Sequence, residues 1–245
     1  MIKNTIVALL LIGSGSVFAA QTATTASAEQ PMKHKDMNAH HMGKHQGKNS
    51  DGAYHHRFND AEAWAKKFDQ PERDAWQKPE QIIDALTLPP NALVADVGAG
   101  TGYFSVRIAK RVLEGKVFAA DIEPDMVRYL GERAKRENLT NITPVQASAE
   151  SPNLAEPVDV MLFVDTYHHI GNRVAYFSNL AASLNADGRL VLVDFNMESP
   201  NGPPKEHLVS LEKVTEELKA AGYKLVQTHD FLPQQYFVVF QKIAP

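Results

Sequence analysis

The sequence predicts an α/β fold, a mainly parallel sheet with helices on both faces, on three observations. First, residues 93–110, LVADVGAGTGYFSVRIAK, read as a buried strand (Leu93, Val94, Ala95, Val97), a tight turn with glycine at 98, 100 and 102, and a helix opening at Tyr103. Second, apolar runs alternate with helix-period stripes from there to residue 195, the pattern of strands joined by crossover helices. Third, the chain closes with two runs, Lys224 to Asp230 and Tyr236 to Lys242, joined around Pro233 as an antiparallel hairpin requires. Seven strands then fill residues 90–245.

Composition narrows the function classes. At 245 residues and 44% hydrophobic, the chain suits one globular domain plus extra segments. A net charge of −4 argues against a nucleic-acid groove. The chain holds no cysteine, which excludes disulfides, thiolate metal sites and cysteine nucleophiles and is compatible with an oxidising compartment.

At the N-terminus, Lys3, the apolar run IVALLLIG and Val17-Phe18-Ala19-Ala20 form the pattern of a secretory signal peptide over residues 1–20. The run is too short to span a bilayer comfortably, so no stable membrane span is expected, and the protein is read as exported and periplasmic. Starting at Met32 or Met37 would instead give a cytosolic form. Residues 21–52 are polar with almost no large aliphatic residue, the composition of a disordered linker. His34, His40, His41 and His45, interleaved with Met32, Met37 and Met42, suit copper or another transition metal, and equally a solvated spacer.

Residues 53–89 read as helical. Asn59 with Glu62 resembles a capping box, and Ala61, Trp64, Ala65 and Phe68 recur at helical spacing. The prolines of PERDAWQKPEQIIDALTLPP then bracket a turn and a second helix over roughly Pro79 to Leu86.

In the body, Phe104, Ile108 and Val112 form an apolar stripe for packing on the sheet. Lys116 to Asp121 is the second strand, and Asp121 lies about 20 residues beyond the glycines, where a ribose-binding acid belongs. Glu123-Pro124-Asp125 opens a helix with Met126, Leu130 and Ala134 on one face, and Ile142 to Gln146 is the third strand. Val158 to Val164 is an apolar run of the kind buried on both faces, with Asp165, Thr166, Tyr167, His168 and His169 at its carboxyl end, where open α/β sheets bind ligands. A helix over Val174 to Leu184 precedes the fifth strand, and a helix from His207 to Ala221 is capped by Gly222.

The glycines are spaced G-x-G-x-G, one residue short of the dinucleotide fingerprint, which disfavours a nicotinamide-dependent oxidoreductase. DVGAGTGYF resembles the first motif of the class I S-adenosylmethionine (SAM)-dependent methyltransferases. The His168-His169 segment resembles the loop of their ubiquinone/menaquinone C-methyltransferase-like branch, whereas the N/D-P-P-Y motif of base-directed members is absent. Ala186-Asp187-Gly188 stands where that branch has L-x-P-G-G. The resemblance implies a Rossmann-like seven-stranded methyltransferase sheet over residues 90–245, with residues 53–89 as a helical lid. SAM would lie on Asp96, Gly98, Ala99, Gly100, Gly102 and Tyr103, with Asp121 at the ribose, Ile122 on the adenine face, and Ser148 and Asp165 completing the site. Arg73, Trp76, Tyr167 and His207 become candidates for the acceptor, with Gln77 as a further lid contact. Absent thiols argue against the arsenite methyltransferases.

Methyl transfer needs nucleophile, methyl and sulfur held in line, and an acceptor that carries a proton also needs a base. His168 or His169, then Asp165, are the candidates for that base, because imidazole titrates near neutrality. A structural hydrogen bond holding the loop is the alternative for either histidine. The expected partner is a small-molecule methyl acceptor, and the oligomeric state is left open. The competing function class is an exported metal-binding protein with a catalytically inactive methyltransferase fold.

Overall fold

The computed structural model of the chain describes residues 56–243. The predicted signal peptide, the His/Met linker and its histidines lie outside the described residues. Three helices come first, α1 (Ala61–Phe68), α2 (Pro71–Gln77) and α3 (Pro79–Ala85). There follow β1 (Leu93–Val97), α4 (Ser105–Ala109), β2 (Lys116–Asp121), α5 (Pro124–Arg136), β3 (Ile142–Gln146) and β4 (Val158–Val164). The chain closes with α6 (Arg173–Asn179), β5 (Leu184–Phe195), α7 (Leu211–Ala220), β6 (Tyr223–His229) and β7 (Gln235–Lys242).

The seven strands form one sheet in the order β3-β2-β1-β4-β5-β7-β6, with β7 antiparallel to both of its neighbours. Because β1 leads outward to β2 on one side and β4 to β5 on the other, the order reverses between β1 and β4. Such a switch point opens a crevice at the strand carboxyl ends. Alternation along the strands divides the core. Val94, Val160, Leu162, Val191 and Val193 face α3 and α4, including Ile82, Ile83, Val106 and Ile108. Ala95, Met161, Phe163, Leu190 and Leu192 face α6 and α7, including Phe177, Val214 and Leu218. Each fully buried Val, Leu, Ile, Phe or Met side chain among these contributes about 1.5–3 kcal/mol. That packing fixes where the strand ends lie.

Several expectations need correction. The helix expected at Tyr103 starts two residues later, because Gly102 at φ 89° holds the chain in a turn through Phe104. The stretch read as a turn before Pro79 is the helix α2: Pro71 stands at its first position, where a missing N–H costs nothing. The cap of α1 is Asp60, whose carboxylate accepts from the Ala63 N–H at 3.1 Å, in place of Asn59. His207 ends a short 3-10 turn (Lys205–His207), and the helix beyond it begins at Leu211, capped by Ser210. Leu184 to Phe195 is one strand, with a register shift against β4 near the stretch expected to turn.

Candidate functional site

The turn after β1 and the segment after β4 meet at the switch point. Gly98, Gly100 and Gly102 all have positive φ, at 75°, 55° and 89°. Gly98 is closely approached: a Cβ there would lie 2.4 Å from the Thr166 hydroxyl oxygen. The Gly98 and Ala99 N–H groups donate to the Ala120 carbonyl at 2.8 and 3.1 Å, which pins the turn to the end of β2. There Asp121 is buried and accepts from the N–H groups of Gly100 (2.8 Å) and Glu123 (2.9 Å). Burial raises its pKa, against the pull of those N–H groups. A carboxylate offers about four acceptor positions, so capacity remains for a vicinal diol.

Asp96 is buried at the end of β1 and accepts from the Ser105 hydroxyl at 2.5 Å. Burial pushes its carboxyl up to about 6, with Ser105 opposing. Tyr103 lies between the guanidinium groups of Arg73 and Arg107, each 4.0 Å from its ring centre, and its hydroxyl bonds Asp74. Ile122 is 54% exposed beside the cradle. Ser148 spends its hydroxyl within its own turn, accepting from the Ser151 N–H at 3.1 Å and that of Glu150 at 3.3 Å.

Asp165 occupies a left-handed conformation, φ 54°, at the carboxyl end of β4. One carboxylate oxygen accepts from Gln77 (3.0 Å) and faces Arg73 (3.4 Å), and the other accepts from Gln235 (2.5 Å). Burial pushes this carboxyl up to about 6 even though Arg73 pulls it down. Arg73 also donates to the Phe68 carbonyl at 3.0 Å, and Phe68 lies over Gly100. The N-terminal helices are held down by Arg133 on Asp69 (2.8 Å), Arg57 on Glu123 (2.6 Å) and the Ala61 N–H on Asp125 (2.7 Å). Trp76 stacks near Phe195 at 5.9 Å, at the end of β5.

His168 is buried, with Nδ1 at 2.8 and 3.0 Å from the two carboxylate oxygens of Asp194. Burial lowers the imidazole pKa and Asp194 raises it; the carboxylate wins, and the net shift is upward. Burial likewise works to raise the Asp194 pKa, and His168 and its N–H donors bring it below the usual range. The protonated form of His168 is therefore stabilised by Asp194 as one half of a buried pair. His169 is half-buried, its ring 4.2 Å from that of His168 and 5.4 Å from Phe58.

Two predicted acceptor residues are placed differently. Tyr167 is fully buried on the α6–α7 face, stacked on Phe177, with its hydroxyl donating to Glu217 at 2.6 Å. Its surroundings are core. His207 is half-buried at the end of the turn before α7, its N–H donating to the Pro204 carbonyl at 2.8 Å. Asp194 and Gln235 were not anticipated, nor was the approach of Thr166 to Gly98. Asp194 alone carries a local signal, a charge at the end of the apolar run RLVLVDF. Among the described residues no group of three or more His, Asp or Glu is placed to hold a metal, and no helix is long and apolar enough to cross a membrane.

The site fits SAM: a glycine cradle that a Cβ would crowd, an acid with spare acceptor capacity at the end of β2, and a carboxylate after β4. Comparison with known proteins agrees. A family profile described as a methyltransferase domain matches residues 89–236. A malonyl-[acyl-carrier protein] O-methyltransferase of Acetivibrio thermocellus is 26% identical over 133 residues, 54% of this chain and 46% of that enzyme. The chain thus spans less than half the length of that curated relative. A SAM-dependent methyltransferase from Aquifex aeolicus superposes with a TM-score of 0.69 at 25% identity, covering 74% of this chain and 98% of that one. The mitomycin 7-O-methyltransferase shares the fold at 14% identity, with a TM-score of 0.61 over 76% of this chain and 59% of that one. With its seven-stranded sheet, glycine cradle and matched residues 89–236, the chain belongs to the methyltransferase-domain family of class I SAM-dependent enzymes.

Proposed function

We propose that this protein methylates a small hydroxylated acceptor, with His168 taking the acceptor's proton. The observation that carries the reading is the buried His168–Asp194 pair behind the carboxyl end of β4, two residues from the contact between Thr166 and Gly98. SAM supplies an electrophilic methyl group on a sulfonium. The chain's own residues do the rest. Asp121 binds the ribose, and the glycine turn gives the methionyl part room. Asp165 would offer a carboxylate to the bound cofactor, and α1 and α2 would act as a lid that excludes water. Asp194 fixes the imidazole orientation through Nδ1 and stabilises the imidazolium formed when His168 accepts a proton. His168 and Asp165 are the residues assigned to chemistry; His169 packs beside His168.

Finer readings rest on sequence alone. The His168-His169 pair supports the ubiquinone/menaquinone-like branch, and residues 1–20 support export to the periplasm. His34, His40, His41 and His45 support a secondary copper-binding role for the linker.

The test is transfer of labelled methyl from SAM to a panel of phenols and aliphatic alcohols. His168→Ala is expected to lower turnover by about a hundredfold or more while SAM affinity survives. Undiminished turnover in that variant would remove His168 as the base.

A further inference from the structure

The two-histidine segment after β4 is held by β5, α6 and α7 together. It forms a single 3-10 turn, Tyr167–His169, closed by the His169 and Ile170 N–H groups donating to the Thr166 and Tyr167 carbonyls at 2.9 and 3.1 Å. In its middle, the His168 N–H and Nδ1 meet Asp194 of β5 at 3.2 and 2.8 Å. At its ends the helices take over. The Tyr167 hydroxyl donates to one oxygen of Glu217 on α7 at 2.6 Å, and Arg173 on α6 donates Nε to that oxygen at 2.7 Å and Nη2 to the other at 3.2 Å. The remaining Arg173 nitrogen donates to the Ile170 carbonyl at 3.2 Å. Arg173 and Glu217 therefore grip the residue before the two histidines and the residue after them.

This bracket is shielded from water. Tyr167 is fully buried, and the side chains of Arg173 and Glu217 are 13% and 12% exposed. Burial works to raise the Glu217 carboxyl, and Arg173 and Tyr167 bring it below the usual range, so it meets both donors as a carboxylate. Charge-assisted bonds of this kind are shorter and about twice as strong as neutral ones. Stacking on Phe177 needs only the Tyr167 ring; the hydroxyl adds the tie to α7.

We infer that Tyr167, Arg173 and Glu217 are positioning residues, which fix both ends of the turn and so hold the His168 imidazole in place against Asp194. The inference rests on the methyl-transfer reading above, in which His168 is the base.

Among the described residues, the charged and titratable groups around the His168–Asp194 pair are Asp165 after β4, faced by Arg73 of α2; Tyr236 of β7, opposite Asp194; Arg173 of α6, with Glu217 of α7 behind it; and His169. Tyr167→Phe and Arg173→Lys remove hydrogen bonds of the bracket without changing the number of charges. A change in His168 titration in these variants thus reports where the imidazole sits.

The test is NMR titration of the full chain carrying isotope-labelled histidine, with the His168 signal assigned by its loss in His168→Ala, beside pH profiles of labelled-methyl transfer from SAM to phenols and alcohols. Asp194 raises the His168 pKa, so a loosened turn should let it fall, by about half a pH unit or more in each variant. The limb of kcat/KM should move to lower pH with it, and kcat should drop about tenfold while SAM affinity stays unchanged. Tyr223→Phe is the control: Tyr223 is also fully buried on the α6–α7 face, and its hydroxyl donates to the Phe177 carbonyl at 3.0 Å, outside the turn. It should lower Tm and leave the His168 titration where it was. An unchanged His168 titration in either bracket variant, or an equal change in Tyr223→Phe, would overturn the inference. A lowered His168 pKa in the bracket variants, with methyl transfer that His168→Ala leaves intact, would uphold the bracket and overturn His168 as the base.

Discussion

Replacing Asp194 by Asn tests the buried pair on which the proposed base depends. His168 Nδ1 lies 2.8 and 3.0 Å from the two Asp194 oxygens, and both residues are buried. Removing one charge of a buried pair costs about 3–5 kcal/mol when the other stays ionised. His168 has an escape, since it can shed its proton, at a cost that falls by about 1.4 kcal/mol for each pH step of one toward alkaline conditions. The sign follows from both groups. The raised pKa of His168 gives stabilisation that is present below the ordinary histidine value of about 6.5 and lost as pH rises through the folded value. The depressed pKa of Asp194 gives stabilisation that is present above the ordinary value of about 3.9 and lost as pH falls through the folded one. The variant should therefore suffer most between about pH 4 and 6.5, by about 3 kcal/mol, and by about 1 kcal/mol near pH 9. For a domain of this size the larger figure corresponds to a fall in Tm of about 6–12 °C. Urea unfolding followed by far-ultraviolet circular dichroism at both pH values measures it. Equal losses at the two would refute the ion pair and, with it, the assignment of His168 as a charged-state partner.

The same pair sets an activity profile: kcat/KM should rise with pH on a limb above about 6.5, and Asp194→Asn should move that limb to lower pH. Asp121→Ala is expected to weaken SAM binding by more than about tenfold in calorimetry; unchanged affinity would remove the ribose assignment. Arg73→Ala removes the contacts to Asp165 and the Phe68 carbonyl, so tryptophan emission, reported only by Trp64 and Trp76 in α1 and α2, should change while far-ultraviolet dichroism stays near the original. Copper or zinc uptake should fall in a chain lacking residues 21–52, and persistence of uptake would leave that stretch a spacer.

The sheet was legible because parallel strands need apolar residues on both faces. KVFAAD and VDVMLFV carry that signal without help from elsewhere, and their observed limits match the expected ones. Helix starts were less legible. Pro71 can close one segment or open another, and only the docking of α2 decides between them. The glycine turn and its bond to Asp121 could be read locally, since both lie within one strand-turn-helix-strand unit. The Asp165 cluster could not. Its partners Gln77 and Gln235 stand 88 and 70 residues away, and neither glutamine differs by any local sign from a surface residue. The polar run after β4 also concealed a change of face: Asp165 turns to Gln77 and Gln235, whereas Tyr167 enters the core against α6 and α7.

The bond between Gln77 and Gln235, 3.2 Å long, joins positions 158 residues apart. On a ribosome α2 emerges early and meets its last anchor only when β7 has been made. Since β7 also supplies the hydrogen-bonded neighbour of β5, a nascent chain stopped before residue 235 would lack both that anchor and the edge on which β6 pairs. Non-local contacts of this kind form late and slow folding. Completion of the Asp165 cluster is therefore tied to completion of the polypeptide, so a C-terminal truncation should damage the site before it damages the first four strands.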